Sequence, residues 1–259
     1  KSAVYPYGAA GPNGVFSLIT QNYMDMYSTK REDFAEICLS QRYNAQHYDH
    51  ALIRDDLTLE NYLSARQISG PIHLFDCVMP CAGAEAFLVM SIEKAKSLGL
   101  PYVEIASSGE RYNAFSSDPI QYRSGWSLFA DQMFDQAELN ARQIDLLYTY
   151  DDYPVISMMQ MEDLGFCEKG AAAEFVTSNN LNFDTEGLVH NSSGGQLSCG
   201  QAGSAAGYLG MVEAMRQLTN TALGNQVNNP KSALVSGYGM VNYDRGLCST
   251  AAILTKGDS

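Results

Sequence analysis

Apolar positions along the first third of the chain recur with helical spacing. Residues 14–27 (GVFSLITQNYMDMY) predict one helix and residues 31–45 a second. Thr29 stands three residues before Glu32 and suggests a capping-box start for the second helix. A polar stretch (NAQHYDHALIRDD) leads to a short helix over 59–67, and residues 71–76 read as extended. The pattern then changes. Residues 83–92 (GAEAFLVMSI) form a nearly continuous apolar run, the pattern of a buried strand, and 101–106 (PYVEIA) a second strand after a brief helix at 94–99. An amphipathic helix is expected over 124–139, a buried strand over 144–150 (IDLLYTY), and a helix over 154–164 with Gly165 at its end. A helix over 204–218 and strands over 233–236 and 249–255 complete the reading. Apolar strands alternating with helices predict an α/β layered core covered on both faces, with a helical extension at the front.

Composition narrows the function classes. A chain of 259 residues, 46% hydrophobic and 17% charged, can bury a core without covalent staples. A net charge of −13 argues against a nucleic-acid partner, which needs a basic footprint. It leaves room for a coenzyme A ligand held by a few local cations or helix N-termini. The six cysteines, at 38, 77, 81, 167, 199 and 248, are scattered and read as reduced thiols of a cytoplasmic protein. The opening KSAVYPYGAAG lacks the apolar region of a signal peptide, and no run of about 18 apolar residues predicts a membrane span. Position 1 is Lys rather than Met, as in a chain that has lost upstream residues. No tandem repeat or low-complexity segment is present.

Three segments offer chemistry. In HNSSGGQLSCGQAGSAAGYLGMVEAMRQL, residues 190–218, a polar glycine-rich loop feeds a helix of small residues. The helix N-terminus can stabilise an oxyanion, although a turn feeding a buried helix has the same pattern. In LLYTYDDYP, residues 146–154, a buried strand delivers Tyr150, Asp151, Asp152 and Tyr153 to its C-terminal end, where sites gather in α/β sheets. A phenol beside a carboxylate can work as an acid–base pair, and a helix N-cap at Asp152 before Pro154 fits equally. In VSGYGMVNYDRGLC, residues 235–248, Gly237 and Gly239 flank Tyr238 in what reads as a tight loop holding one phenol, or as an ordinary loop with a packed tyrosine. Cys77 and Cys81 lack zinc-knuckle spacing and a second pair, and no metal site is expected. His47 and His50 read as solvated, His73 as structural, and His190 as a residue that orients the glycine-rich loop.

These segments, in this order, resemble the thiolase superfamily. DCVMPCAGAEAFLVMS (76–91) is similar to the family segment that ends in a buried strand of the N-terminal half. The turn after 144–150 stands at the family's Asn-Glu motif, SGGQLSCGQAGSAAG (193–207) at its Gly-His-Pro loop and central helix, and SGYG (236–239) at its Cys-x-Gly. MMQMEDLGFCEKG (158–170) resembles the sterol-carrier, or lipid-transfer-protein, branch. The departures are at the chemistry. Gln201 replaces the Gly-His-Pro histidine, the Cys-x-Gly site reads Ser236-Gly237-Tyr238, and Cys248 comes too late to serve. The family's nucleophilic cysteine belongs to the N-terminal half, upstream of this chain.

The resemblance therefore implies a thiolase-like layered fold with an incomplete N-terminal half: a helical insertion over 1–69, the end of the N-terminal half over 70–106, and the C-terminal half over 107–259. Within the superfamily the pattern is similar to the steroid side-chain-cleaving aldolases. That implies retro-aldol cleavage of a β-hydroxyacyl-CoA with a bulky, steroid-type acyl group. Tyr150 and Tyr238 match the two phenols, Asp151 a tuning carboxylate, and Ser193, Gly194, Gly195, Gln201, Gly203 and Ser204 a substrate-binding loop beside the thioester. Coenzyme A would enter as part of the substrate, with no covalently bound cofactor. A homodimer is implied, with a small zinc-ribbon/OB-fold partner that would itself hold the zinc. Two alternatives stay open: an acetyl-CoA acyltransferase whose cysteine lies upstream, and a non-catalytic thiolase-like scaffold or lipid-binding subunit.

Overall fold

The computed structural model describes residues 6, 11–242 and 245–257. Its first helices are α1 (Gly11–Tyr27), α2 (Arg31–Ala45) and α3 (Leu59–Leu63), followed by the two-stranded pair β1 (Gln67–Ser69) and β2 (Ile72–His73). Next come α4 (Ile92–Ser97), β3 (Val103–Tyr112), α5 (Ala130–Ala137), β4 (Leu146–Tyr148) and α6 (Pro154–Asp163). They are followed by α7 (Ala172–Ser178), β5 (Val189–His190), α8 (Gly195–Cys199), α9 (Ala206–Leu218), β6 (Ser232–Asn242) and β7 (Arg245–Lys256). No helix among the described residues is long and apolar enough to cross a membrane.

Five strands form one mixed sheet in the order β3-β7-β6-β4-β5. β4 runs parallel to β5 and β6, whereas β7 is antiparallel to β6 and β3. Alternation along the strands divides the apolar side chains between two faces. Leu147, Leu234 and Ile253 join the larger core with Phe16 of α1, Ile37 of α2, Met133 of α5 and Ile156 of α6. Leu146, Tyr148, Ala233, Val235 and Leu254 pack with Ala214 and Leu218 of α9. Both faces are thus covered, and all three residues of β4 are buried.

Local sequence explains most boundaries, and four expectations change. The N-cap of α2 is Lys30, not Thr29: the Lys30 N–H donates to Asp33 Oδ2 at 2.7 Å, so the cap closes one residue later, while Thr29 itself is buried. The expected helix over 124–139 splits into a 3₁₀ turn (Gly125–Leu128) and α5. The Gly125 N–H donates to Ser249 Oγ at 3.1 Å and the Trp126 indole to the Thr250 carbonyl at 3.0 Å, which pins the turn to β7.

The expected loop between strands at 235–248 is instead their continuation, with Tyr238 opposite Ser249 and Gly239 opposite Cys248. Tyr243 and Asp244 of that segment lie outside the described residues. Two glycines do not end a strand when both neighbours complete the ladder. Finally, 83–92 forms no strand, and Leu88 and Val89 are 78% and 75% exposed. A strand needs a ladder partner, and among the described residues none pairs with this run.

Candidate active site

β4 ends at Tyr148, and the chain turns through Thr149, Tyr150, Asp151 and Asp152 before α6 begins with Pro154 at its first position, where the missing N–H costs nothing. The cap of α6 is Tyr153 rather than Asp152, and it offers no side-chain bond, so Asp152 is not spent on the helix. Two neighbouring carboxylates leave this turn in different directions.

Asp151 is buried and serves the glycine-rich loop. The Gln196 N–H donates to its Oδ1 at 3.0 Å and the Leu197 N–H to its Oδ2 at 3.1 Å. It therefore satisfies free amides at the start of α8 from another part of the chain, the work an N-cap side chain does locally. Glycine is required here. Gly194 and Gly195 have φ of +99° and +59°, and a Cβ on Gly195 would stand 2.2 Å from Asp151 Oδ2. Burial pushes the Asp151 carboxyl up to about 6 against the pull of those amides.

Asp152 faces the Tyr150 phenol. The Gln201 side-chain amide donates to Asp152 Oδ1 and, at 3.4 Å, to the Tyr150 hydroxyl oxygen. Tyr150 and Asp152 thus converge on one side-chain amide. Burial, then the charge of Asp151, pushes Asp152 up to about 7, while the Gln201 amide and the neighbouring Tyr150 phenol hold it down. Burial and then the charge of Asp152 push Tyr150 up to about 12. Gln201 is itself fixed by backbone bonds: its N–H donates to the Met79 carbonyl at 2.8 Å, and the Cys81 N–H donates to its carbonyl at 2.9 Å.

The Tyr150 peptide is clamped by buried Gln160, in the second turn of α6. Gln160 Oε1 accepts from the Tyr150 N–H at 2.9 Å and from Ser236 Oγ at 2.6 Å. Its Nε2 donates to the Tyr150 carbonyl at 2.8 Å and the Ile156 carbonyl at 2.9 Å. Buried His190 stands behind the turn, its Nε2 2.7 Å from Thr149 Oγ1, and burial lowers it to about 3, so the ring is neutral.

A narrow cavity is lined by Tyr150, Asp151, Ser193, Gly195, Gln196 and Ser236 among others. Tyr238 does not line it. Ser236 and Tyr238 alternate onto one face of β6, so Tyr238 sits on the side of the sheet that Gln160 ties to Tyr150. Its phenol, however, is 5% exposed, stacks on Trp126 at 5.7 Å, and donates to Gln121 Oε1 at 2.6 Å while accepting from the Gly246 N–H at 2.6 Å. Within the expected substrate loop, Ser193, Gly194 and Gly195 are buried, Gln201 touches Tyr150 and Asp152, and Gly203 and Ser204 lie exposed just before α9. Sequence reasoning took Asp151 as the tuning carboxylate of Tyr150; in the structure the Asp151 oxygens accept the α8 amides, and Asp152 shares the Gln201 amide with the Tyr150 phenol. It did not single out Gln160; only its place in the helix that follows a strand-end tyrosine could have marked it.

A mixed sheet with helices on both faces, a glycine-rich loop held at a strand end and a small-residue helix behind it define a thiolase-like α/β protein. The chain belongs to the thiolase C-terminal domain-like family, whose pattern matches residues 107–254. It is 30% identical over 246 residues to a steroid side-chain-cleaving aldolase of Thermomonospora curvata, covering 89% of this chain and 60% of that protein. It is 27% identical over 244 residues to a 17-hydroxy-3-oxo-4-pregnene-20-carboxyl-CoA lyase of Mycobacterium tuberculosis, covering 91% of this chain and 62% of that protein. Among solved structures, an Ltp2-ChsH2(DUF35) aldolase superposes with a TM-score of 0.80 at 26% identity, covering all of this chain and 68% of that one. The chain thus spans about three-fifths of the length of the two curated relatives.

Proposed function

We propose that this chain is part of an aldolase that cleaves the Cα–Cβ bond of a β-hydroxyacyl-CoA with a bulky, steroid-type acyl group. The observation that carries the reading is Tyr150: a phenol fixed at the C-terminal end of β4, beside a carboxylate, with Gln201 where thiolases place a histidine and no thiol at Ser236-Gly237-Tyr238. A retro-aldol step needs a group to take the β-hydroxyl proton and a donor to stabilise the thioester enolate, and it needs no nucleophile. Tyr150 takes that proton, the hydroxyl oxygen becomes a carbonyl, and the Cα–Cβ electron pair passes into the enolate. Tyr238, which lies outside that cavity, is assigned the donor role at the thioester oxygen, a role that requires the substrate to reach it and displace its bond to Gln121.

The names of the two curated relatives, an aldolase and a CoA lyase, support this class of reaction. The similar solved structure carries two protein names, Ltp2 and ChsH2(DUF35), which supports a second protein in the assembly. On that likeness the chain is assigned a homodimeric, cytoplasmic assembly with a small zinc-ribbon/OB-fold partner. The division into 1–69, 70–106 and 107–259 is retained as part of the same proposal.

The test is C–C cleavage by the full gene product with its partner, measured as release of the shortened acyl-CoA and the ketone from a steroid β-hydroxyacyl-CoA. Y150F is expected to lower turnover by about 100-fold or more, in the range for loss of a positioned acid–base group. Full activity in Y150F would remove the carrying observation.

A further inference from the structure

We infer that Asp152, held by Gln201, is the proton store through which Tyr150 works. This rests on the retro-aldol reading but stands on its own geometry. Gln201 donates to the Tyr150 oxygen and so occupies one of its lone pairs. The same Gln201 amide donates to Asp152 Oδ1, which brings that carboxylate beside the phenol as an acceptor for the hydroxyl proton of Tyr150. Asp151 cannot take that part, because both its oxygens accept backbone amides of α8. Of the two adjacent carboxylates, only Asp152 faces the phenol.

The proton balance closes without any outside reactant. As the β-hydroxyl gives its proton to the Tyr150 oxygen, Tyr150 gives its own to Asp152. The Cα–Cβ bond breaks toward the thioester enolate and the carbonyl product forms. The proton then returns from Asp152 through Tyr150 to Cα of the enolate, and the pair is restored. A phenol pushed up to about 12 is a poor proton acceptor at neutral pH by itself, and a carboxyl near 7 is matched to the task. Asp152 is thus a positioning and proton-accepting residue, acting through Tyr150. The titratable groups around it are Tyr150 and Asp151 on its own turn and Tyr153 at the start of α6; across the site, the Cys81 thiol lies against Gly200 beside Gln201.

The experiment compares the full protein with D152N, which keeps an oxygen to accept from Gln201 but cannot store a proton. Turnover is expected to fall about 100-fold with KM within about threefold, and the acidic limb of the kcat–pH profile is expected to disappear. D152E should restore part of the rate. Q201A removes the donor that holds Asp152 down, so the same limb should move to higher pH; this variant also decides the matter if D152N does not fold. Independently of turnover, carbon-13 tyrosine NMR, with Tyr150 assigned by Y150F, should show the Tyr150 phenol ionising at lower pH in D152N once the neighbouring charge is gone. An unmoved phenol titration, or an acidic limb unchanged in both D152N and Q201A, overturns the inference. Absence of any cleavage by the wild-type complex would instead reject the aldolase reading while the NMR result stands.

Discussion

The Gln160 side chain closes on both sides of the Tyr150 peptide, accepting from its N–H at 2.9 Å and donating to its carbonyl at 2.8 Å. A residue just beyond a strand end is ordinarily free to adjust. Here one buried amide replaces the ladder that β4 has left and, through Ser236, ties the turn to the neighbouring strand β6. Q160L, similar in size but without polar atoms, would leave the Tyr150 N–H and carbonyl unpaired in the interior and Ser236 Oγ with only its 3.3 Å bond to the Tyr148 carbonyl. A loss of about 2–4 kcal/mol is expected from several such groups, read as a lower urea midpoint at constant m. A change below about 0.5 kcal/mol would mean that the clamp is not holding the turn.

Gly195 packs directly against the Asp151 carboxylate. Its φ is +59°, and an added Cβ would lie 2.2 Å from Asp151 Oδ2 and 2.8 Å from Asn191 Nδ2. G195A must therefore displace the carboxylate that caps α8 as well as bear left-handed strain. The expected cost is about 2–4 kcal/mol, measured by thermal or urea unfolding. Wild-type stability in G195A would show that the Asp151 contact yields without cost.

Stability should fall with rising pH on account of Asp152. Its value in the folded protein, about 7, lies above the ordinary aspartate value of about 3.9, so the folded state keeps the proton longer than the unfolded one. The resulting contribution is fully present below pH about 4 and lost as pH rises through about 7. Buried neutral His190 has the opposite sign and weakens the fold as pH falls below its ordinary range of about 6.5, but it is common to wild type and variant. D152N should therefore gain on wild type between about pH 5 and pH 8, on the order of a few kcal/mol, in paired urea titrations. Parallel curves would contradict the burial of this carboxylate.

Tyr238 is bonded on both sides and packed on Trp126. Y238F should cost about 1 kcal/mol of stability through the lost hydrogen bond, a drop of a few degrees in Tm. If its donor role at the thioester is correct, turnover falls more than about tenfold besides. A destabilised but fully active Y238F would leave the residue a purely structural place.

Much of this arrangement was legible in the chain. Tyr150 was marked by a buried apolar strand that ends in polar residues, and the glycine pair by its need for a sharp turn beside a helix start. The partner of Tyr150 was not legible: Asp151 and Asp152 are adjacent and chemically alike, and only the backbone turn decides which faces the phenol and which faces α8. The segment 83–92 misled for a related reason. Its apolar run states that the residues prefer burial, but a strand also needs an edge to pair with, and that information lies in other residues. The β6–β7 continuation was masked by Gly237 and Gly239, which read as breakers until their partners Thr250 and Cys248 are in register.

The two aspartates after β4 have consequences beyond this reaction. One anchors architecture and its neighbour lies beside the Tyr150 phenol, so alteration at position 152 need not dismantle the loop that position 151 holds. A protein built in this way can exchange the group beside its phenol and try a different chemistry on an unchanged frame, which makes Asp152 the natural place to begin redesigning the site.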